Sequence, residues 1–450
     1  MAEQTDEQSL DEVVRFTSDL IRVDTTNHGG GDCWERPAAE YAAEQLAGAG
    51  LEPVLLERSR GRTNVVARIE GTDPSADALL LHGHLDVVPA RADDWSVHPF
   101  SGEVRDGVVW GRGAVDMKNM DAMILAVVRA WARLGVRPRR DIVVAFTADE
   151  EASAEDGSGF LADKHGELFE GCTEGVSESG AYTFHDGAGR QIYPIAAGER
   201  GTGWLRLTAR GRAGHGSKVN RDNAVTRLAA AVARIGHHEW PVRLTPTVRA
   251  ALLELSALYG IDDLKPAGPV GLVDSGGPVD VDALLDRIGP AAALVESTVR
   301  SSANPTMMDA GYKVNVIPGE AVAYVDGRYP PGGDDEFAET LDRLTGPGVE
   351  WEFHHREVAL QAPVDSVTFA RMRAAVEEFA PEGHVVPFCM SGGTDAKQFS
   401  RLGITGYGFT PLKLPPGFDY NALFHGVDER VPVEALHFGV RVLDRFLRTA

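Results

Sequence analysis

His84, Asp86, Asp116, Glu150, Glu151, Glu178 and His425 are the residues of this chain whose types and settings could do chemistry. Several end or follow short apolar runs, so a fold could gather them at one place. Acids and imidazoles in that pattern imply a metal-dependent hydrolase with two ions sharing one water. His84 and Asp86 are two residues apart, and in an extended segment both side chains face one side. An imidazole suits zinc, and Asp86 could hold the other ring nitrogen; His-x-Asp also arises by chance in loops. Asp116 precedes an amphipathic segment. It is either an acid at a helix start, where aligned amides favour an anion, or a carboxylate whose two oxygens bridge two metals. Glu150 and Glu151 follow a buried apolar run, which is unfavourable unless solvent, protons or metals accommodate them. One could ligate a cation while the other handles a proton, and Asp149 competes for either role. Glu178 in VSESG competes with Glu174. His425 in NALFHG has a structural histidine as its plain alternative.

The elements that must position these residues read as an α/β fold. Residues 11–24 and 35–49 carry helical patterns. NVVARIE at 64–70, ALLLHGH at 78–84 and DIVVAFTA at 141–148 read as strands. After Asp116, Ile124, Val127, Val128, Trp131 and Leu134 recur at helical spacing. Strands alternating with helices suggest a partly parallel sheet, and ligands gather beyond the carboxyl ends of such strands. A second unit begins near residue 199. GTGWLRLTARG is strand-like and NAVTRLAAAVARIG helical. KVNVIPG and EAVAYVDGRYP read as two strands around a Pro-Gly turn, before a helix at 334–344 and a strand at VEWEFHH. The chain returns to the first domain near 358. The expected boundaries are 1–198 and 358–450 for one domain and 199–357 for the insertion.

Composition narrows the function. A formal net charge of −23 disfavours binding to a phosphate backbone, and no basic patch with interleaved aromatics supports a nucleic-acid partner. No run of 18 apolar residues exists, and the amino-terminal MAEQTDEQSLDEVVRF lacks the pattern of a secretory leader. The expectation is a cytoplasmic protein with no membrane partner. Cys33, Cys172 and Cys389 include no CxxC pair and fit a reducing compartment.

Taken together, LLLHGHLDVVP at 79–89, GRGAVDMK at 111–118, TADEE at 147–151, GHGS at 214–217, NVIPGEA at 315–321, SGGTDAK at 391–397 and FHG at 424–426 resemble the M20 metallopeptidase family over nearly the whole chain. That resemblance implies a zinc-peptidase-like α/β catalytic domain with an inserted α+β lid domain that commonly supplies homodimer contacts. It implies two divalent ions, zinc with cobalt or manganese as substitutes. His84 and Glu178 would hold one ion, Glu151 and His425 the other, with Asp116 bridging. Glu150 would be the catalytic base and Asp86 would orient His84. The family acid at 178 is usually followed by glycine, whereas here Ser179 precedes Gly180. His215 would approach the reaction centre; its alternative is a loop cap. Arg328, with Asn304 as companion, would recognise a substrate carboxylate, and Gly392, Gly393 and Thr394 would shape the cleft. The implied substrate is a small peptide or N-acyl amino acid with a free carboxylate. A dipeptidase or carboxypeptidase is favoured, an N-acyl-amino-acid amidohydrolase is the near alternative, and a non-catalytic binding or assembly protein the distant one.

Overall fold

The computed structural model describes residues 6–30, 33–268 and 271–450. The first five residues, part of the segment read above for a leader, lie outside the described residues. The chain divides into two compact units, one of residues 1–197, 362–388 and 394–450, the other of residues 198–361 and 389–393.

The first unit is built on a mixed sheet. Its strands run in the order Val54–Glu57, Thr63–Ile69, Ile142–Thr147, Ala78–His84, Cys172–Ser177, Thr405–Gly408, Gln191–Glu199. The strands around Ala78–His84 are parallel to it on both sides, and Thr405–Gly408 is parallel to Cys172–Ser177. The outer pairs on the Val54 side are antiparallel. Alternate residues of the central strands enter two cores. Leu79, Leu81, Val144 and Phe146 pack with Phe16, Met120, Ile124, Leu443 and Phe446, from the helices Glu7–Arg22, Lys118–Leu134 and Val433–Thr449. Leu80, Val143 and Ala145 pack with Leu161, Phe399 and Ile404. Burial on both faces is why these strands read as unbroken apolar runs, and each large side chain so buried stabilises the fold by roughly 1.5–3 kcal/mol.

Parallel strands share one carboxyl edge. His84 ends Ala78–His84 and pairs in register with Thr147, the last residue of its neighbour. Glu150 and Glu151 follow Thr147, and Glu178 follows Ser177, the end of the strand on the other side. Topology alone therefore delivers four acidic or imidazole side chains to one edge. Gly83 makes this geometry possible, because a Cβ there would overlap Asp121 Oδ1 and the Met117 methyl at the start of the Lys118–Leu134 helix.

The second unit holds an antiparallel four-stranded sheet ordered Ser302–Ala310, Glu320–Tyr329, Gly201–Arg210, Val349–Glu357. Its core sets Leu205, Leu207, Ala323 and Val325 against Leu228, Ile235, Phe337 and Leu341 of the helices Ala224–Gly236 and Asp334–Thr345. One expectation is corrected here. KVNVIPG contributes only Val316–Ile317, which pairs with Gly214–His215. Glu320–Tyr329 pairs instead with Ser302–Ala310 on one side and Gly201–Arg210 on the other. Ser302–Ala310 lies at the sheet edge with most of its side chains exposed, so it carries no apolar alternation to read.

Candidate metal centre

Two groups of donor atoms meet at the carboxyl edge of the first unit's sheet. His84, Asp116 and Glu178 form one, and Asp116, Glu151 and His425 the other, with all donor atoms of each group within 4.8 Å of one another. Asp116 belongs to both and divides its oxygens between them: Oδ1 lies 3.2 Å from His84 Nε2 and Oδ2 lies 3.3 Å from His425 Nε2. Glu178 Oε2 is 3.7 Å from His84 Nε2, and Glu151 Oε2 is 3.1 Å from His425 Nε2. Glu150 Oε2 lies 3.9 Å from His84 Nε2.

The alternatives open in the sequence now separate. The Lys118–Leu134 helix takes no side-chain cap, so Asp116 is not acting as a helix cap. Glu174 accepts from Arg140 and Thr368 at 2.8 and 2.7 Å. Asp149 turns toward Arg62, Asn27 and Ser153. Neither belongs to a donor group. The three cysteines are free and buried and also lie outside both groups. Ser179 departs from an acid–glycine pattern but adopts φ of 66°, the left-handed conformation glycine supplies most cheaply. Asp149 and His425 also have positive φ, at 65° and 55°. Such conformations concentrate where surrounding structure fixes a functional side chain.

Asp86 meets His84 through its main chain and the Glu150–Glu151 turn through its side chain. His84 Nδ1 meets the Asp86 main-chain carbonyl at 2.9 Å, while the carboxylate is 3.7 Å away. The carboxylate accepts from the backbone N–H groups of Glu150 and Glu151, each at 3.1 Å, and from Asn27 Nδ2 at 2.8 Å. A strand ending in His-x-Asp thus orients the imidazole through its backbone and the Glu150–Glu151 turn through its side chain. Behind it, Asn27 also reaches Asp149 Oδ1 at 3.1 Å, and Arg62 joins Asp149 to Glu35. Asp395 accepts from Thr147 Oγ1 and Ser158 Oγ. Sequence reasoning missed Asn27, Arg62, Glu35 and Asp395. Asp395 lies inside the quoted SGGTDAK motif, whereas Asn27 and Glu35 reach this network only through the fold.

The electrostatics call for positive charge. Burial pushes the Glu178 carboxyl up to about 8. Burial also lifts Glu150 well above the ordinary carboxylate range and raises Glu151. Asp116 is lowered, because hydrogen bonds from His425 and His84 outweigh its burial. His425 is raised to about 10 by its contacts with Asp116 and Glu151. Glu150, Glu151 and Glu178 thus favour a proton in this crowded site, and divalent cations would supply the same positive charge. Glu151 Oε1 is buried with no hydrogen-bond partner among the described residues. A mixed imidazole–carboxylate set with an orphaned oxygen fits two hard or borderline cations.

A sequence profile of peptidase family M20/M25/M40 matches residues 80–449. The chain belongs to this family. It is an M20 metallopeptidase or amidohydrolase, catalysing metal-dependent hydrolysis of amide bonds. It is similar to the human N-fatty-acyl-amino acid synthase/hydrolase PM20D1, at 29% identity over 398 residues, covering 85% of this chain and 76% of the relative. Pig (Sus scrofa) aminoacylase-1 is 26% identical over 428 residues, covering 91% and 89%. In fold, the M20 family metallo-carboxypeptidase Sso-CP2 from Sulfolobus solfataricus matches with a TM-score of 0.71 at 17% identity, covering 97% and 99%.

The remaining expected residues belong mostly to the second unit. His215 is exposed, and its Nδ1 meets Ser217 Oγ at 2.9 Å and the Ser217 N–H at 3.2 Å, a loop-capping arrangement. Arg328 Nε and Nη2 donate to Asp326 at 2.7 and 3.3 Å, and Nη1 donates to Thr202 at 3.0 Å. Asn304 pairs across the sheet with Asp326. Gly392 has open space where a side chain would project. Thr394, in the first unit, accepts from the Ala396 N–H at 3.1 Å.

Proposed function

We propose that this M20 enzyme hydrolyses the amide bond of N-acyl amino acids bearing a free carboxylate. The observation that carries the chemistry is the division of the Asp116 oxygens between two donor groups, with Glu150 beside them. His84 and Glu178 would hold one ion and Glu151 and His425 the other, and zinc would suit the donor set, with cobalt or manganese as substitutes. When bound, the ions supply Lewis acidity, lowering the pKa of a water and polarising the amide carbonyl. Glu150 takes the proton from that water through its carboxylate and returns it to the departing nitrogen. Asp86 keeps Glu150 and Glu151 in place by holding both backbone N–H groups. Arg328, assisted by Asn304, recognises the substrate carboxylate by exchanging its Asp326 pairing for a bidentate one. His215 steadies the developing oxyanion, and Gly392, Gly393 and Thr394 border the substrate.

Two findings support the acyl substrate. The human relative is named for N-fatty-acyl-amino acids and the pig relative is an aminoacylase. A cavity of about 260 Å³, walled in part by Tyr182, Phe184, Phe418 and Tyr420, also lies between the segment after Glu178 and the segment before His425. Its rings could meet an acyl chain, beside the polar Thr183, His185, Asp419 and Asn421 of the same lining. A dipeptide is itself an N-acylated amino acid, so dipeptidase or carboxypeptidase activity is the second reading.

The second unit supports a homodimer. Ser302–Ala310 is an edge strand with Met307 and Met308 exposed, and Tyr312 and Val314 are exposed just beyond it. Two such edges can cover each other around a two-fold axis. A cytoplasmic setting agrees with three free cysteines; no helix among the described residues is long and apolar enough to cross a membrane.

The test is amine release from matched N-acyl amino acids and dipeptides, using metal-loaded and chelated protein. Faster metal-dependent release from the acyl series is expected. Faster dipeptide cleavage selects the peptidase reading, and no metal-dependent release from either series overturns both. Sedimentation of the protein and of Met308→Lys, expected to shift from dimer to monomer, tests the assembly.

A further inference from the structure

Glu429 lies just beyond the His425 loop, is fully buried, and plays no part in the chemistry above. Its carboxylate is saturated by the segment that carries Asp116. Oε1 accepts from the N–H groups of Val115 and Asp116 at 2.7 and 3.1 Å. Oε2 accepts from Arg112 Nη1 at 2.7 Å and the Gly113 N–H at 3.1 Å. The Glu429 main-chain carbonyl accepts from the Gly111 N–H at 2.9 Å. The local fold creates this wrap, because Arg430–Pro432 pairs antiparallel with Val108–Trp110 and brings Glu429 beside Gly111. Arg112 is also buried, and its Nη2 donates to the main-chain carbonyl of His425 at 3.4 Å. One ion pair therefore touches the backbone of both Asp116 and His425. The arrangement parallels Asp86, whose carboxylate takes the two amides of the Glu150–Glu151 turn.

A buried ion pair is an expensive way to gain stability alone, since apolar replacements of similar volume are often neutral or better. Its value here is directional, because four donors on one carboxylate fix where the Asp116 backbone can be. We propose that Glu429 and Arg112 are positioning residues for the metal centre, Glu429 acting through Asp116 and Arg112 through the His425 loop. This rests on the two-metal reading above. Asp116 serves both ions and His425 only one, so the two residues have different signatures. Outer partners of metal ligands commonly change metal affinity by about 10–100-fold. Glu429→Gln weakens both ions by at least about tenfold, while Arg112→Met weakens the ion held by His425 more than the other.

The experiment loads metal-free protein with Co(II) and reads stoichiometry, affinities by chelator competition, and the visible absorption spectrum. Wild type, Glu429→Gln, Arg112→Met, Arg112→Lys and Arg140→Met are compared. Arg140→Met breaks another largely buried pair, Arg140–Glu174 at 2.8 Å, outside the donor groups. The expected result is two Co(II) ions in wild type, the split pattern in the Glu429 and Arg112 variants, partial rescue in Arg112→Lys, and an unaltered spectrum and affinity in Arg140→Met. If Glu429→Gln does not fold, the two Arg112 variants decide. Two ions of wild-type affinity and spectrum in the folded variants overturn the positioning role. Equal weakening in Arg140→Met reduces the effect to general stability and overturns it too. Fewer than two ions in wild type overturns the two-metal reading, and the positioning role with it.

Discussion

Replacing Asp86 with asparagine changes one atom's bonding character at the point where the Glu150–Glu151 turn is held. Asp86 is fully buried; Oδ1 accepts from the Glu150 N–H, and Oδ2 accepts from both the Glu151 N–H and Asn27 Nδ2. Asparagine keeps one acceptor and turns the other oxygen into a donor. With its carbonyl placed at Oδ2, the new amide faces the Glu150 N–H; placed at Oδ1, it faces two donors. Asn27 cannot simply rotate to compensate, because its Oδ1 already accepts from the Gly29 N–H at 2.9 Å and from Cys33 Sγ at 3.3 Å. One or two charge-assisted bonds are lost at roughly 1.5–3 kcal/mol each, so Asp86→Asn should cost about 3 kcal/mol of stability. A displacement of about 1 Å at a catalytic group costs about 10²-fold in rate, and kcat/KM should fall by at least that factor, chiefly through kcat. Urea unfolding of the metal-loaded protein and steady-state amine release at saturating metal measure the two effects. An unchanged unfolding midpoint together with unchanged kcat would refute the reasoning. Full recovery of kcat at excess metal would show that Asp86 governs loading rather than the Glu150–Glu151 turn.

Glu150→Gln should retain both ions by elemental analysis and lose about 10²–10⁴-fold in kcat, the usual range for a positioned proton-transfer group; near-wild-type turnover rejects its role. Arg328→Ala should raise KM at least about tenfold for carboxylated substrates, the scale of a lost charge-assisted hydrogen bond, while sparing matched uncharged amides. Equal effects on both would contradict the assignment. Burial pushes the Cys172 thiol up to about 11 and the Cys389 thiol up to about 12. The reactive thiolate is then a minor species at pH 8, and its fraction grows as pH rises toward those values. Peptide mapping after alkylation of native protein at pH 8 should find both cysteines unmodified, with labelling increasing at higher pH and complete in urea; native labelling at the unfolded rate would contradict this.

Much of the architecture was legible because local pattern and burial agree. The run 78–84, the run around 142–147 and the helix beginning at Lys118 were all readable, since an element buried on both faces, or presenting one apolar stripe, writes its period into the chain. Ser302–Ala310 was not, because an exposed edge strand has no core to impose a pattern. Residue types and motif order likewise singled out His84, Asp116, Glu150, Glu151, Glu178 and His425, whose chemistry is distinctive wherever the chain places it.

What the sequence by itself determined was a set of donors and the class of reaction they permit. The family resemblance implied how they divide, but only the tertiary structure brings them together. Parallel pairing brings the ends of three strands to one edge, and the left-handed backbone at His425 turns a residue more than 300 positions beyond Asp116 onto that carboxylate's second oxygen. The same applies to the groups that aim the donors. The Asp86 carboxylate holds two backbone amides while its main-chain carbonyl meets the His84 ring, and Glu429 cups the Asp116 segment from the far end of the chain. Hydrogen bonds to backbone N–H groups leave no trace in residue type, because every residue except proline offers the same donor. Their partners emerge only when the chain is folded.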